Sequence, residues 1–472
     1  MRSAATFWQF TLSKVQFRTK PFPRSHSSLS NPYKPGSVTA GAMFAGALLL
    51  SSAAQAQTSR RLSLPEALKI AVANNRDIRH AQIERAVTES DIDEKKELRL
   101  PEIDFHASYA RITDLTEYRH GLGDKVVTHT IPVIADLTGS AKMPLYTGGK
   151  IRYAIRKAQQ QEEIASLAVL KTENDVKMEA TELFFSAYKM MELDKLLQEH
   201  IREEEDRLAE VRSFKAHGTV TRNEVLRAEL QLSDMRLSRT TNRSNIEIVL
   251  HDLHTLLEMP EEVALELDTA RLLDGALPVE DMHSYLRAAL TKDEMRIAEK
   301  MEAVSETERR ITRAAYLPNI HLFASYGFNY PNYMFFPPDP YLYTLGRVGV
   351  EATYSLSNLY KNKTRTHIAR MRTEAQQAQT GIVKNRVMDN VFKHYTELKD
   401  HLETIPVKEK AVTQATENYR IVKLKYLHQL ALITEMLDAD NALLQARFDL
   451  LTARINTTVK HRRLLYASGQ LP

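Results

Sequence analysis

Several stretches of the chain alternate apolar and polar residues with the period of two that a β-strand has. The second half contains two such stretches, at 320–330 and 347–356, and the first half contains one at 103–109 with a weaker return near 137–146. An apolar face backed by polar and small residues, over about 10 residues, is typical of strands that cross an outer membrane. The clearest apolar faces comprise Ile103, Phe105, Ala107 and Tyr109, then Ile320, Leu322, Ala324, Tyr326, Phe328 and Tyr330, and finally Val348, Val350, Ala352, Tyr354 and Leu356. We therefore predict four membrane-crossing strands per chain.

Very long helices follow these strands. Residues 150–217 contain neither proline nor glycine, and a helix of that length spans about 100 Å at 1.5 Å per residue. Apolar residues recur at spacings of three and four, which predicts coiled packing between helices. The two series are Leu183, Ala187, Met190, Leu197, Ile201, Leu208 and Val211, and Leu437, Asn441, Leu444, Phe448, Leu451, Ile455 and Thr458. Asp194 and Glu204 interrupt the first series, and we interpret the acidic run 203–206 as a solvated face.

The order of elements occurs twice, which indicates an internal duplication. Leu-Pro precedes the first strand of each half, at 100–101 and 317–318, and the segment 224–229 returns in similar form at 435–440. Each predicted repeat has a helix, a strand hairpin and two long helices. The first repeat, 57–276, has its hairpin at about 101–146 and long helices at 149–217 and 220–258; the second, 277–472, has its hairpin at about 318–357 and long helices at 362–428 and 430–466.

The predicted fold is mainly α with a β-barrel part. An open sheet of four strands leaves unpaired edges that lipid does not tolerate. Three copies of the chain supply twelve strands, an even number wide enough to enclose a lumen. Aromatic residues crowd the segment 323–343, as in the girdle at one end of such a barrel. The long helices break at 217–219 and 428–430, and we expect these two tips to lie far from the strands.

The first 56 residues have the features of an export signal peptide. They contain six basic residues and no acid, an apolar run at 38–50 and the small-residue site Ala54-Gln55-Ala56. The basic stretch is longer than usual, which leaves an extended targeting element open. Subtracting the six from 64 leaves 58 basic residues against 60 acidic ones, so the formal charge of +4 does not favour a nucleic-acid partner. Cysteine is absent, which excludes disulfides and cysteine-ligated metal.

No catalytic or metal-binding arrangement stands out in the sequence. His251 and His254 share a helix face without a further ligand. The segment 147–150 places a lysine after two glycines but lacks the spacing of a phosphate-binding loop. We therefore expect no catalytic residue, no metal and no cofactor. Two alternatives to a channel stay open: a periplasmic coiled-coil scaffold without a pore, whose strands form a small soluble domain, and an exported enzyme.

The mature chain resembles the outer membrane efflux proteins, the TolC-like channels. The resemblance rests on the opening segment 62–68 with Asn74-Asn75, on the Leu-Pro before each first strand, and on Gly218-Thr219 leading into 224–229. It implies a homotrimer in outer membrane lipid, with one shared barrel of twelve strands and a large periplasmic tunnel of helices. It also implies a duct for small molecules or proteins, partnered by a periplasmic adaptor and an inner membrane pump in tripartite efflux or type I secretion.

The resemblance further implies a gate at the helix ends opposite the barrel. Glu435 and Asp438 match acids that form its narrowest rings. At 5 to 6 Å and an effective dielectric constant near 20, each pair of like charges in such a ring would repel by about 3 kcal/mol. The open alternative is that both acids are surface partners of nearby basic side chains.

Side-chain links between neighbouring coils close the tips in this family. Tyr426 and Glu224 match one such pair, a phenol donating to a carboxylate. Ala431 stands where a second link would need an arginine, and Gln429 stands where glycine is common. The residues expected to contact the adaptor are His217, Gly218, Thr219 and Gln429; they are also explained as ordinary turn residues, with glycine ending the helix.

Overall fold

The structure, a computed structural model, describes residues 60–471 apart from 261–262, 264, 270–271, 274–276 and 336. The predicted signal peptide, 1–56, lies outside the described residues. The helices described are α1 (Leu64–Asn74), α2 (Arg76–Glu97), α3 (Lys150–Ala216), α4 (Arg222–Leu257), α5 (Met282–Ala289), α6 (Asp293–Ala314), α7 (Asn358–Leu427) and α8 (Ile433–Ser468). The strands described are β1 (Arg60–Leu62), β2 (Glu102–Arg111), β3 (Leu115–Arg119), β4 (Asp124–Thr128), β5 (Val133–Tyr146), β6 (Leu265–Leu267), β7 (Asn319–Tyr330) and β8 (Tyr343–Thr353).

Long helices dominate the described residues. Two of the helices begin with a capping box. In each box a Ser or Thr side chain and a Glu side chain three residues later satisfy backbone N–H groups that the first turn leaves free. Ser63 and Glu66 form the box of α1, and Thr221 and Glu224 form that of α4. The longest helices, α3 and α7, contain 67 and 70 residues and so span about 100 Å each. The mainly helical fold class predicted from the sequence is confirmed.

The series of apolar residues at spacings of three and four lies at helix contacts. Ala187, Leu197 and Val211 of α3 are buried, as is Ile455 of α8. Along these contacts α3 packs against α4, α6 and α8, and α7 packs against α6 and α8. Asn441, a polar member of the second series, accepts a hydrogen bond of 2.6 Å from the amide of Gln231 on α4.

Both acids that interrupt the α3 series form ion pairs. Asp194 lies 3.1 Å from Nε of Arg239 on α4. Glu204 is completely buried and bonded to Arg207. The interpretation of the whole run 203–206 as a solvated face is therefore wrong at Glu204. This residue lies in the buried series of α3, between Ile201 and Leu208.

Four strands form one antiparallel sheet in the order β2-β5-β7-β8. The register places the apolar faces of all four strands on the same side, because directly paired residues point to the same face. Leu137 lies opposite Phe328, and Leu322 opposite Val350. The described part of the chain does not cover this apolar face: the exposed fraction is 74% for Phe105 and 78% for Val348. The weaker strand predicted near 137–146 pairs with both β2 and β7.

The opposite face of the sheet is polar. Lys142 of β5 lies 3.1 Å from the carboxylate of Glu351 of β8. Phe323, a large apolar residue on this face, lies over Gly349, where an added Cβ would come within 3.1 Å of the ring. The absence of a side chain at Gly349 therefore makes room for Phe323.

Two smaller pairings complete the described strands. β3 and β4 form a second hairpin between β2 and β5, within the segment 101–146 that was predicted as a single strand hairpin. β1 pairs in parallel with β6, which brings Leu62 and Leu265 into a buried cluster around Phe184 and Phe185. None of the described helices combines the length and apolar composition needed to cross a membrane.

Candidate functional site

The two helical tips, where α3 turns into α4 and α7 turns into α8, have the same backbone geometry. Each helix ends with a residue in the left-handed conformation, Gly218 with φ of +74° and Gln429 with φ of +59°. The amide after each of them donates back into the last turn, from Thr219 to the carbonyl of Phe214 and from Leu430 to that of Lys425. The Thr219 hydroxyl donates to the Phe214 carbonyl as well, at 2.8 Å. The predicted adaptor-contact residues therefore lie at two tips, each closed by a left-handed cap.

Gln429→Gly should stabilise the second tip. A left-handed residue with a Cβ is strained, and the gain on removing it, less the entropy of a new glycine, is about 0.5–1 kcal/mol. We expect hydrogen exchange of the Leu430 amide to slow about two- to fivefold, measured by mass spectrometry of the assembled protein. Gly218→Ala is the matched control at the first tip. An added Cβ there meets nothing within 4 Å, so this substitution adds backbone strain without a steric clash. Faster exchange in Gln429→Gly would contradict the prediction.

Glu435 and Asp438 lie in the first two turns of α8 on its exposed side. The residues between and after them, Met436, Leu437 and Ala439, are buried in the packed face of the helix. Neither carboxylate forms an ion pair or a side-chain hydrogen bond with the part of the chain that the structure describes. Within one chain, both acids thus present uncompensated charge to the surroundings of the tip.

Tyr426 and Glu224 do not form their predicted hydrogen bond within one chain. The Tyr426 hydroxyl is buried and has no hydrogen-bond partner among the described residues. Glu224 instead accepts a bond of 3.3 Å from the Thr221 amide in the α4 capping box. Burial, and then the charges of Glu224 and Glu210, raise the pKa of Tyr426 to about 12. The ring of Tyr426 packs edge-on against Phe214, with centroids 6.4 Å apart.

A buried ionic cluster lies just inside the tips, between α3 and α8. Its members are His200, Glu204 and Arg207 of α3 and Asp440 of α8, all almost completely buried. One nitrogen of Arg207, Nη1, donates to Glu204 Oε1 and, at 2.6 Å, to Asp440 Oδ2. The other, Nη2, donates to the Tyr419 hydroxyl of α7 at 2.9 Å. Arg207 therefore joins three helices two to three turns from the tips.

Burial and mutual charge set the protonation of the cluster. Burial raises the pKa of Glu204 to about 7, and neighbouring Asp440 adds to this rise while Arg207 opposes it. Burial also acts to raise the pKa of Asp440, but His200 and Arg207 outweigh it and hold that pKa below its usual range. For His200, burial acts to lower the pKa, and the carboxylates of Asp440, Glu204 and Glu203 raise it overall. Asp440 is thus the permanent anion, and Glu204 is the carboxyl that holds a proton most readily.

The sequence contains a signal for this cluster, whose residues were not among the predicted sites. Glu204 takes a position in the apolar series of α3, and a charged residue in such a series is buried only when it is paired. Asp440 ends the repeated segment 435–440, at the position that Glu229 has in the first half. Glu229 forms an exposed ion pair with Arg212 at 2.7 Å. The position that the two repeats share is therefore buried in the second half, at Asp440, and not in the first.

Comparison with known proteins agrees with the fold. The profile of the outer membrane efflux protein family matches residues 67–257 and 286–470. No curated protein matches the sequence. Among solved structures, the outer-membrane channel OprN is 17% identical with a TM-score of 0.71, over 87% of this chain and 90% of that one. VceC of Vibrio cholerae is 15% identical with a TM-score of 0.70, over 86% and 96%.

MtrE of Neisseria gonorrhoeae, an outer membrane channel solved in its open state, is 18% identical with a TM-score of 0.67, over 86% of this chain and 89% of that one. At these identities the likeness shows the fold alone, whereas the family profile covers both halves of the described chain. The resemblance found in the sequence is confirmed, and the chain belongs to the outer membrane efflux protein family.

Proposed function

We propose that three copies of the chain close one barrel of twelve strands in the outer membrane and continue it as a periplasmic tunnel of helices. Membership of the family makes the protein an outer membrane channel of an efflux system, with a large periplasmic part. The trimer, the closed barrel and the protein partners go beyond family membership and are what we propose.

The sheet supplies the observation that carries the proposal. Its outer strands, β2 and β8, each have a neighbour on one side only within the described residues. In lipid, unpaired backbone groups along two such edges are too costly to leave open. Joining β8 of one copy to β2 of the next pairs both edges and turns the exposed apolar face toward lipid. Four strands per copy then give twelve for three copies.

The helices support a periplasmic tunnel that ends in a gate. Glu435 and Asp438 are exposed near the tips, where threefold symmetry would turn each into a ring of three carboxylates. The adaptor contact is proposed at His217, Gly218, Thr219 and Gln429, beside the exposed Leu430 and Leu432. The adaptor would connect the channel to an inner membrane pump. Small molecules and proteins both remain candidate cargo.

The scaffold without a pore is disfavoured by the same sheet. A soluble sheet buries one apolar face against a core, whereas here the exposed fraction of Ile103 is 76%. Nothing in the described chain covers this face.

Cysteine cross-linking tests the trimer, because the chain contains no cysteine of its own. Pairs of single cysteines, one scanned along β2 and one along β8, should give a covalent trimer at one register after oxidation in outer membranes. The control is Ala141→Cys with Ala324→Cys, which are direct partners in β5 and β7 and should cross-link within one chain only. Planar bilayers should show conductance for the same preparation. A soluble periplasmic monomer without intermolecular cross-links would remove the proposal.

A further inference from the structure

We propose that His200, Glu204 and Asp440 bind one Zn²⁺ ion in each protomer, fastening α3 to α8 just inside the tips. One ligand atom from each of these three buried residues lies within 4.8 Å of the others. Ligands of a tetrahedral zinc ion, with bonds of 2.0–2.1 Å, are about 3.3 Å apart. Side-chain rotations that close the widest gap by at most about 1.5 Å would complete the site. This property of the helix packing goes beyond the proposed channel and does not depend on barrel closure.

The hydrogen bonds of the two carboxylates leave one oxygen of each free. Glu204 uses Oε1 for Arg207, and its buried Oε2 has no partner among the described residues. Asp440 uses Oδ2 for Arg207, and its buried Oδ1 has none. Buried polar atoms are normally satisfied. In the metal-free state a proton on Glu204 links it to Asp440, and a bound metal ion would take the place of that proton.

The imidazole of His200 provides the third ligand atom. Its Nε2 lies 3.2 Å from Asp440 Oδ2 as an ion pair, a contact that a bound metal ion would replace. Two carboxylate oxygens and one imidazole nitrogen match the ligand preference of zinc, whereas Mg²⁺ and Ca²⁺ prefer oxygen ligands throughout. Three protein ligands also leave a fourth position for water.

The surrounding residues have the arrangement that commonly supports a zinc site. His200 and Glu204 are four residues apart and share one face of α3, and Asp440 approaches from α8. Glu203 lies 3.5 Å from His200 Nδ1, where a carboxylate orients a metal-binding histidine. Arg207 holds the other oxygens of both acidic ligands and so fixes their orientation.

Charge and access are both compatible with a divalent cation. Metal binding requires Glu204 to be deprotonated and His200 to be neutral. In that state two carboxylates and one guanidinium leave the cluster one negative charge, and Glu203 adds another. A divalent ion brings the sum to zero. A surface groove of about 490 Å³ reaches His200 and Glu203 and gives an ion a route to the ring. Arg420, Lys423 and Arg447 also line this groove, so retention of the cation depends on the ligands themselves.

Zinc uptake by the purified, detergent-solubilised protein tests the site. The protein is stripped with EDTA, dialysed and titrated with ZnCl₂, and bound zinc is counted by mass spectrometry. Titration with CoCl₂ gives a second readout, because tetrahedral cobalt has characteristic visible absorption. We expect one ion per protomer. The isosteric variants Glu204→Gln and Asp440→Asn should each weaken binding by more than about 100-fold, and Glu203→Gln by about 10- to 100-fold, the range for residues that orient ligands.

The matched control is Glu435→Gln with Asp438→Asn, since a ring of acids at the proposed gate could also attract cations. The proposal requires that this double variant keeps one zinc per protomer. It is overturned if zinc binding disappears in the double variant and persists in Glu204→Gln. It is also overturned if the stripped wild-type protein takes up neither zinc nor cobalt, a result that does not depend on the folding of any variant.

Discussion

Arg207→Leu should destabilise the helical part of the protein by about 3–5 kcal/mol, the cost of removing one partner from a buried ion pair. The substitution leaves the carboxylates of Glu204 and Asp440 buried against each other without their cation. It also removes the bond from the guanidinium to the Tyr419 hydroxyl that joins α7 to the cluster. The shift is measured as the midpoint of denaturant unfolding followed by helical circular dichroism, in EDTA so that no metal replaces the guanidinium.

Arg212→Leu provides the matched control on the same helix. Arg212 forms an ion pair of similar length with Glu229, but both side chains are exposed, and such pairs contribute about 0–1 kcal/mol. A second control removes the whole cluster: Glu204→Leu, Arg207→Met and Asp440→Leu together should restore stability to near the wild-type value, because apolar residues often replace buried ion pairs without loss. Equal effects of Arg207→Leu and Arg212→Leu would contradict the assigned role of burial.

The repeating patterns of the sequence predict the fold well because they are set by local geometry. Alternation along 347–356 predicts which side of β8 carries the apolar residues, and the register of β7 and β8 places Leu322 and Val350 on that side. The run 150–217 without glycine or proline predicts the single helix Lys150–Ala216. In both cases each residue's neighbours along the chain determine the outcome.

The buried cluster could not be predicted in the same way because its members come from distant parts of the chain. Arg207 and Asp440 are 233 positions apart, and no local pattern reports how α3 and α8 are paired. The same limit applies to Phe323, whose place on the polar face depends on Gly349 in the next strand. The β3–β4 hairpin was missed for a different reason: its strands have only five residues each, too few for alternation to be distinctive.

Replacing both Glu435 and Asp438 by alanine should weaken block of the channel by trivalent cations about 100-fold in planar bilayers. In the proposed trimer the two residues form adjacent rings of three carboxylates, in which each like-charged pair at 5 to 6 Å repels by about 3 kcal/mol. A multivalent cation relieves this repulsion, and alanine removes its cause. Single-channel conductance measured against cation concentration gives the dissociation constant of block for each protein.

The control for this double variant must remove the same charge from the same end of the helices without touching the proposed rings. Glu205→Ala with Glu229→Ala meets this condition, because both acids are exposed and each is already paired with an arginine, at 2.6 Å and 2.7 Å. We expect block to change less than about threefold in this control, since its charges are compensated and screened by salt. If both double variants weaken block equally, the effect comes from net charge, and the gate lies elsewhere than at Glu435 and Asp438. If only the first does so, the cation site is local, which requires the exposed side of α8 to face the lumen.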